Sequence, residues 1–306
     1  MFSKSKRQQL AQNLGGQLEA AVIEGRSPWK DARIRFRRNH AAVVSLVLLV
    51  LIGLLVVIGP WIVPHSYDEA DWSVAAPLAP TFTNWHLFGT DDNARDLLVR
   101  VLIGGRISFM VGILGTLVAV VIGVSWGAIS GFFGGKVDAL MMRFVDVMYA
   151  LPFMLFAILL MTFFGRDLVL MFVALGAISW LDMARIVRGQ TLSLKSKEFV
   201  EAARAIGVPR RAIIFRHIVP NLLGVVVIYA TVTIPNVILT ESVLSFLGLG
   251  VQEPMTSWGV LVQDGAQHMD TAPWMLLIPA LFLSVTLYCA NYVGDGLRDA
   301  LDPKDR

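Results

Sequence analysis

The run from Gly123 to Gly127 has the spacing of a serine hydrolase nucleophile. It reads G-V-S-W-G and matches G-x-S-x-G, in which Ser125 would attack a carbonyl carbon. A serine nucleophile needs a base within hydrogen-bond distance, and no histidine falls inside an apolar stretch of this chain. We therefore interpret the match as chance, and we expect Ser125→Ala to leave function intact.

The glycines of the same stretch recur at intervals of four residues. Small residues at this spacing let two helix backbones approach each other closely in lipid. The pattern predicts a helix-packing face made of Gly123, Gly127 and Gly131, and a moving hinge is the alternative interpretation.

The sequence carries no recognisable phosphate-binding loop. Its one Gly-Lys pair is Gly135-Lys136, and the loop pattern would need glycine in place of Ser130 and Ser or Thr in place of Val137. The single cysteine, Cys289, excludes a disulfide framework and a thiolate metal site. No catalytic, cofactor-binding or metal-binding residue is therefore predicted, and any ATP chemistry is expected in another chain.

Four charged residues lie near the ends of apolar stretches, namely Arg143, Asp146, Asp182 and Arg185. Ionisable residues in membrane spans are functional candidates, but at span ends snorkelling and local ion pairing account for them. No charge lies in the middle of an apolar stretch. This pattern disfavours a proton- or sodium-coupled secondary transporter, which is the alternative from a different functional class.

The composition is that of a polytopic membrane protein. Of 306 residues, 56% are hydrophobic and 16% are charged, whereas soluble domains carry about 25% charged residues. A membrane-spanning helix needs ~20 apolar residues. The chain is therefore predicted to be all-α with six transmembrane helices, at residues 41–63, 107–135, 147–164, 168–181, 218–240 and 271–294.

The distribution of positive charge predicts the orientation. If both termini are cytoplasmic, the 26 Lys and Arg residues all fall on the cytoplasmic side except Arg95, Arg100, Arg106 and Arg166, as the positive-inside rule requires. The predicted organisation is a basic cytoplasmic tail with an interfacial helix (1–40), a first span (41–63), an outer loop (64–106), a core of five spans (107–294) and a cytoplasmic tail (295–306). Within the core lie a cytoplasmic loop (186–217) and an outer loop (241–270).

A helix-prone polar stretch lies between the fourth and fifth predicted spans, at residues 198–220. Phe199, Ala203 and Ile206 fall at helical spacing, so one face of a helix can pack against another surface. We therefore predict that this face is a packing face.

The ends of this helix are also marked in the sequence. Ser196 can cap its start, Gly207 can end it in a left-handed conformation, and Pro209 can begin a second helix. The stretch therefore predicts a helix, a sharp turn and a second helix.

The same stretch resembles a family motif, the EAA loop of ABC-importer permeases. Glu201-Ala202-Ala203 is followed after three residues by Gly207 and later by Pro220, although His217 and Val219 replace the usual Ile and Leu. Other motifs resemble those of dipeptide/oligopeptide permeases, in particular their C-type subunits. They are F-G-T-D at 88–91, R-D at 95–96 after Ala94 in place of glycine, G-R-I-S at 105–108, L-S-F-L-G-L-G at 244–250, S-W-G at 257–259, and the tail at 294–304.

The resemblance implies the type I ABC importer permease fold and a multi-pass protein of the bacterial inner membrane. The implied partners are a B-type permease subunit, two ATP-binding subunits, a periplasmic oligopeptide-binding protein and membrane lipid. In this family the EAA helix fits a groove on the ATPase and couples nucleotide-driven closure to motion of the membrane helices. The expected coupling residues are Phe199, Glu201, Ala202, Ala203, Ile206, Gly207 and Pro220, and Glu201 would pair with a basic ATPase residue.

The resemblance implies import of oligopeptides by alternating access, with no nucleic-acid partner. A permease of the same architecture for dipeptides, nickel or another small solute is the alternative within the family. Peptide uptake that is insensitive to ATP would instead favour a secondary transporter.

Overall fold

The computed structural model describes residues 28–82, 84–165 and 168–301, and in these ranges helices dominate. Most of the predicted basic tail lies outside the described residues, but its expected short helix begins at Pro28. We number the helices in chain order as α1 Pro28–Arg38, α2 His40–Ile62, α3 Leu97–Phe133, α4 Gly135–Ala150, α5 Phe153–Phe164, α6 Leu168–Leu194, α7 Glu198–Ala205, α8 Arg210–Phe246, α9 Trp258–Gln267 and α10 Trp274–Leu301.

Among the described residues, four helices are long and apolar enough to cross a membrane, namely α2, α3, α8 and α10. The bent pair α4–α5 makes a fifth candidate if it is counted as one span. Helix α6 contains the predicted fourth span but continues to Leu194 and carries Asp182 and Arg185. The chain is thus mostly helical with four or five candidate spans, and the count of six and the cytoplasmic termini stay predictions.

Helix α3 connects the two ends of the molecule. Its 37 residues correspond to about 55 Å, which exceeds the ~30 Å hydrocarbon core of a bilayer. Asp96 caps its start by accepting a hydrogen bond from the Val99 amide at 2.9 Å. Gly134, with a φ of +65°, ends it. Helix α3 therefore reaches beyond the bilayer core.

Close packing of α3 against α6 depends on the three glycines at four-residue spacing. A Cβ atom at Gly123 would lie 2.8 Å from the Trp180 carbonyl oxygen. At Gly127 and Gly131 it would lie 2.9 and 2.8 Å from the amide nitrogen and carbonyl oxygen of Arg188, respectively. Since backbone atoms cannot move aside as a flexible side chain can, larger residues at these positions would push α6 away.

The predicted third span is interrupted. The sequence predicted one continuous helix over 147–164, but α4 ends at Ala150, Leu151 is extended, and Pro152 caps α5. The two helices are bent by 80°. Because proline lacks an amide hydrogen and disfavours helical geometry in the preceding residue, the break falls at Leu151-Pro152.

The predicted outer loop 241–270 is partly helical. Helix α8 continues past Glu241 to Phe246, and residues 258–267 form α9. Glu241 is fully buried, and it accepts a hydrogen bond from the Ser245 hydroxyl at 2.6 Å and longer ones from Ser108 and Ser242 at 3.4 Å. The expectation that this charge begins a loop was wrong, because neighbouring hydroxyl groups satisfy the carboxyl inside the helix bundle.

Candidate functional site

The EAA segment, which we define as residues 195–220, contains the predicted first helix, α7. Its N-cap is Lys197, and the Ser196 hydroxyl donates to the Ser193 carbonyl oxygen at 3.2 Å. The predicted capping role of Ser196 was therefore wrong, since its side chain bonds to the end of α6. Glu198 and Glu201 lie in the first turn of α7, where negative charge complements the helix dipole.

Gly207 ends α7 as predicted. Its φ is +82°, and its amide donates to the Arg204 carbonyl oxygen at 3.0 Å. The Val208 amide donates to the Ala203 carbonyl oxygen at 3.0 Å, so the two bonds form a Schellman motif. No described atom lies within 4 Å of a Cβ built at Gly207. The need for glycine here is therefore one of backbone conformation, and the site is open to a partner.

Phe199, Ala203 and Ile206 do not share one face in the structure. Ala203 and the fully buried Val200 point into an apolar core that includes Phe132 at the end of α3. Phe199 is 39% exposed and Ile206 is 80% exposed. The reason is that α7 ends at Ala205, so Ile206 leaves the helical register, while Val200 and Ala203 are three residues apart on the inner side.

The outer side of α7 therefore differs from the predicted face. Glu201 and Ala202 are exposed, as are Phe199 and Ile206. These four predicted coupling residues are available to a partner, whereas Ala203 faces the chain's own core. Val200, which anchors α7, was missed in the sequence, although its apolar side chain three residues before Ala203 was a usable signal.

An open cavity of about 690 Å³ lies beside α7, between the end of α3 and the start of α8. The Arg204 guanidinium lies 5.1 Å from the centre of the Phe132 ring, and that of Arg210 lies 5.9 Å from the Phe133 ring. Both distances fit cation–π contacts. Glu201 also lines the cavity, so this surface offers both charge signs and aromatic rings.

Pro220 lies in the continuous helix α8 and is exposed. Just before it, residues Ile214–Ile218 form a wider π-helical turn. A proline cannot donate the usual amide hydrogen bond, and a wider turn is one way in which a helix accommodates that loss. Pro220 therefore does not end the second helix, which continues from the EAA segment into the candidate span.

The EAA segment is tied to α4 through the end of α6. The Arg188 guanidinium donates two hydrogen bonds to Asp138, with Nε–Oδ1 and Nη2–Oδ2 distances of 2.5 and 2.6 Å. Ser130 also donates to Asp138, and the Lys195 ammonium donates to the Gly131 carbonyl oxygen at 3.0 Å. No separate pattern in the sequence indicated the Arg188–Asp138 pair, because the two residues are 50 positions apart.

A charge cluster lies at the other end of α3, and it consists of the buried Asp91, Arg95 and Arg100 together with the more exposed Glu253 and Asp264. Arg95 Nε lies 2.7 Å from Asp91 and its Nη2 lies 2.9 Å from Glu253, which joins the two predicted outer loops. Arg100 is fully buried, 3.4 Å from Asp91 and 3.9 Å from Asp264. Motif recognition marked Asp91 and Arg95 but did not predict that these charges would be buried together.

The acids of this cluster respond differently to their surroundings. The hydrogen bond from Arg95 lowers the pKa of Glu253. Burial raises the pKa of Asp264, although Arg100 opposes the shift. Burial alone would lower the pKa of Arg95, but Glu253 and Asp91 outweigh it, so the pKa of Arg95 is raised.

A second group near this end has side chains of types that can bind metal, namely His65, His86 and Asp96. His86 Nδ1 lies 2.7 Å from Asp96 and its Nε2 lies 3.3 Å from Asp71. The His65 and His86 rings stack at 4.4 Å with 19° between their planes. Both ring nitrogens of His86 are thus within hydrogen-bond distance of carboxylates, so in this geometry the group holds separate parts of the loop together.

The hydrolase-like run Gly123 to Gly127 lies inside the uninterrupted helix α3. A hydrolase of the G-x-S-x-G type places its serine on a sharp turn between a strand and a helix. The local structure therefore lacks the feature that exposes such a nucleophile.

Comparison with known proteins identifies the family. Residues 119–306 match the family described as "Binding-protein-dependent transport system inner membrane component", and residues 27–80 match the "N-terminal TM domain of oligopeptide transport permease C". The chain is 58% identical over 306 residues, all of both chains, to the "Oligopeptide transport system permease protein OppC" of Escherichia coli (strain K12).

Two further relatives extend this likeness. The protein of the same name from Haemophilus influenzae is 56% identical over 301 residues, which cover 98% of this chain and 96% of the relative. The "Dipeptide transport system permease protein DppC" of Bacillus subtilis (strain 168) is 42% identical over 278 residues, which cover 90% and 86%. This multi-pass inner-membrane protein therefore belongs to the binding-protein-dependent transport system inner membrane component family.

Proposed function

We propose that this chain is the membrane-spanning permease subunit of an ATP-driven ABC importer that carries oligopeptides across the bacterial inner membrane. The observation that carries the proposal is the 58% identity, over the whole of both chains, to a relative named as an oligopeptide permease. In this proposal the chain has six transmembrane helices and cytoplasmic termini. It pairs with a B-type permease subunit, two ATP-binding subunits and a periplasmic oligopeptide-binding protein.

The exposed side of α7 is the proposed ATPase-coupling surface. Phe199 and Ile206 would seat in a groove of the ATPase, and Glu201 would pair with a basic residue there. Val200 and Ala203, buried on the inner side, support this role because they fix α7 to the end of α3. A displacement of α7 would therefore move the membrane helices and not merely bend a loop.

The Arg188–Asp138 pair is the proposed second link in this coupling. Its two parallel hydrogen bonds hold α6 to the start of α4. Helix α6 enters the EAA segment directly, and α4 leads to the 80° bend. A push on α7 would thus be transmitted both to α3 and to the bent helix pair.

A dipeptide importer is the second candidate, favoured by the 42% identity to a dipeptide permease. The two candidates differ in the length of peptide that the assembled complex takes up. Uptake of a labelled dipeptide and of a labelled tetrapeptide by the same complex separates them, because a dipeptide importer takes up mainly the dipeptide.

The experiment that tests the proposal is reconstitution of this chain with its partner subunits in lipid vesicles. We expect peptide uptake that requires ATP and is strongly reduced by Gly207→Asp or Glu201→Arg. Uptake that proceeds without ATP would overturn the proposed class of transporter. Full ATP-dependent uptake by both variants would overturn the coupling role of α7.

A further inference from the structure

Helices α4 and α6 are joined by polar contacts on one open side, which we call the ladder. Its members are Asp146 and Tyr149 on α4, and Asp182 and Arg185 on α6. Arg185 Nη2 donates to Asp146 at 2.8 Å, and the Tyr149 hydroxyl donates to Asp182. The Arg185 guanidinium also lies 4.0 Å from the centre of the Tyr149 ring. These contacts explain how the charges are stabilised within the chain. They do not explain which surroundings the exposed side of the ladder faces.

The ladder is exposed near the end of the predicted membrane-spanning part of α6. The Arg185 and Asp146 side chains are 46% and 55% exposed, respectively. Counted from Leu168, Arg185 lies about 25 Å along α6, near one edge of a ~30 Å bilayer core that begins at that residue. Charged residues within membrane helices almost always face protein or a water-filled cavity.

The broken backbone beside the ladder also indicates polar surroundings on this side. Leu151 and Pro152 interrupt the helix one turn after Val147, and both are exposed. Non-helical backbone inside a membrane is tolerated where it is buried in protein or lines a water-filled cavity. At this break the Leu151 amide donates to the Met148 carbonyl oxygen and the Pro152 carbonyl oxygen accepts from the Phe156 amide, but both residues are exposed, so the break is open on this side of the helices.

A cavity lies at the break, between α4, α5 and α6. Its volume is about 360 Å³, and Tyr149, Leu151, Pro152 and Leu181 are among the residues that line it. This size is at the lower end of the range for pockets that hold small molecules. The phenol of Tyr149 connects the apolar cavity to the charged ladder.

We propose that this side of α4 and α6 lines the cytoplasmic part of the water-filled path for peptide. This inference rests on the proposed function and identifies where the substrate passes. The ladder offers carboxylates, a guanidinium and a phenol to the amide groups and charged ends of a peptide. The cavity at the break accommodates a peptide side chain.

The chemistry of the ladder suits weak binding, which a transported substrate needs because it must dissociate again. Its charges are already paired within the chain, so a peptide group exchanges one polar contact for another instead of meeting a bare buried charge. Such a lining binds weakly and accepts many sequences. The alternative is that the partner permease subunit covers this surface in a contact without water.

Cysteine accessibility in the assembled complex tests the inference. The sole cysteine, Cys289, is 2% exposed, and Cys289→Ala gives a cysteine-free chain. In that background Ala150→Cys places a thiol at the exposed break without removing any member of the ladder. The matched control is Leu51→Cys, because Leu51 is 55% exposed on the apolar helix α2. The complex in lipid nanodiscs is treated with a charged thiol reagent during ATP turnover, and labelling of this chain is followed by mass spectrometry.

We expect Ala150→Cys to react at least about 10-fold faster than Leu51→Cys, since only a thiol in water ionises readily. We also expect a bulky adduct at position 150 to block ATP-driven peptide uptake in the same complex reconstituted in vesicles. Equal, slow labelling of the two variants would overturn the inference by showing that the surface faces lipid or a dry partner contact. Fast labelling with unchanged uptake would also overturn it, because the surface would then lie outside the path.

The same preparation separates this inference from the proposed function. Peptide uptake by the untreated Cys289→Ala complex tests the transporter itself. If that uptake is ATP-dependent, slow labelling at position 150 counts against the path alone. If no uptake occurs with any peptide although the complex hydrolyses ATP, the proposed function fails and the inference that rests on it fails with it.

Discussion

The two ends of α3 meet opposite kinds of surroundings. At its start, Arg95 and Arg100 are buried among carboxylates of the same chain. At its end, Phe132 supports α7, whose outer side is open, with Ile206 80% exposed. The first region pairs its charges within one chain, whereas the second presents groups that another chain can cover. Changes in the first should therefore affect stability, and changes in the second should affect association and coupling.

Removing the central carboxylate of the charge cluster should have the largest effect. Asp91 pairs with Arg95 and Arg100 and accepts hydrogen bonds from the amides of Asn93 and Arg95. Asp91→Ala leaves the fully buried Arg100 guanidinium without its nearest carboxylate and Arg95 with Glu253 alone, so we expect a loss of about 3–5 kcal/mol of stability. Thermal unfolding of the purified chain in detergent measures it. The exposed neighbour is the control, and equal unfolding of Asp91→Ala and Asp92→Ala would contradict the burial argument.

A charge on the outer side of α7 should weaken association. We expect Ile206→Asp to reduce affinity for the ATP-binding subunits by about 10- to 100-fold, because it places a charge in an apolar contact. The stability of the isolated chain should change by less than about 0.5 kcal/mol, since the site is exposed. Affinity is measured by titrating the ATP-binding subunits against the labelled permease.

The matched variant for this comparison is Val200→Ala on the buried side of the same helix. It should cost about 1–2 kcal/mol of stability and leave the affinity for the ATP-binding subunits almost unchanged. If Val200→Ala weakened association and Ile206→Asp lowered only stability, the wrong side of α7 would have been assigned to the partner.

Replacing the glycine at the turn after α7 should lower stability by less than the loss of Asp91. Gly207→Ala forces an L-residue into the left-handed region, so we expect a loss of about 1–2 kcal/mol, measured by thermal unfolding. Gly224→Ala is the control, because neither glycine has a described atom within 4 Å of a built Cβ and only Gly207 has a positive φ. A similar loss in both variants would argue against the conformational explanation.

Mild acidification should have the smallest effect on stability. The pKa of Glu253 is lowered by its hydrogen bond from Arg95, so its contribution is present above its ordinary pKa of 4.5 and is lost as the pH falls through the lowered value. The pKa of Asp264 is raised by burial, so acidification from neutral pH first relieves an unfavourable charge. We expect thermal stability to hold between pH 7 and about pH 5 and to fall below about pH 4.

Glu253→Gln should remove part of this acid sensitivity, by less than about 1 kcal/mol, since Glu253 is 63% exposed. The measurement is the unfolding temperature as a function of pH for the variant and the parent protein. A steep loss of stability in the parent above pH 5 would contradict the assignment.

Features that depend on the local chain were predictable. Gly207 was identified because a helix followed by glycine and proline has one common geometry, and the structure has that geometry. The four-residue spacing of Gly123, Gly127 and Gly131 indicated a packing face, and these glycines lie against the backbone of α6. In both cases the determining interaction is a backbone conformation or a backbone contact.

Features that depend on distant partners were not predictable. Ala203 points inward because Phe132 and Val200 form a core with it, and Phe132 is remote from both in the sequence. Glu241 looked like the start of a loop because the hydroxyl group of Ser108, on another helix, could not be foreseen beside it. The break at Leu151-Pro152 was hidden because the flanking residues are apolar enough for a continuous span.

The length of α3 has a mechanical consequence. One helix of 37 residues carries both the charge cluster and the support of α7, so neither can tilt without the other. If it rocks as a rigid rod about its middle, a tilt of about 10° shifts each end by about 5 Å, in opposite directions. A displacement of this size by a partner at α7 would then move the charge cluster at the other end of α3 by an equal distance, through a single helix.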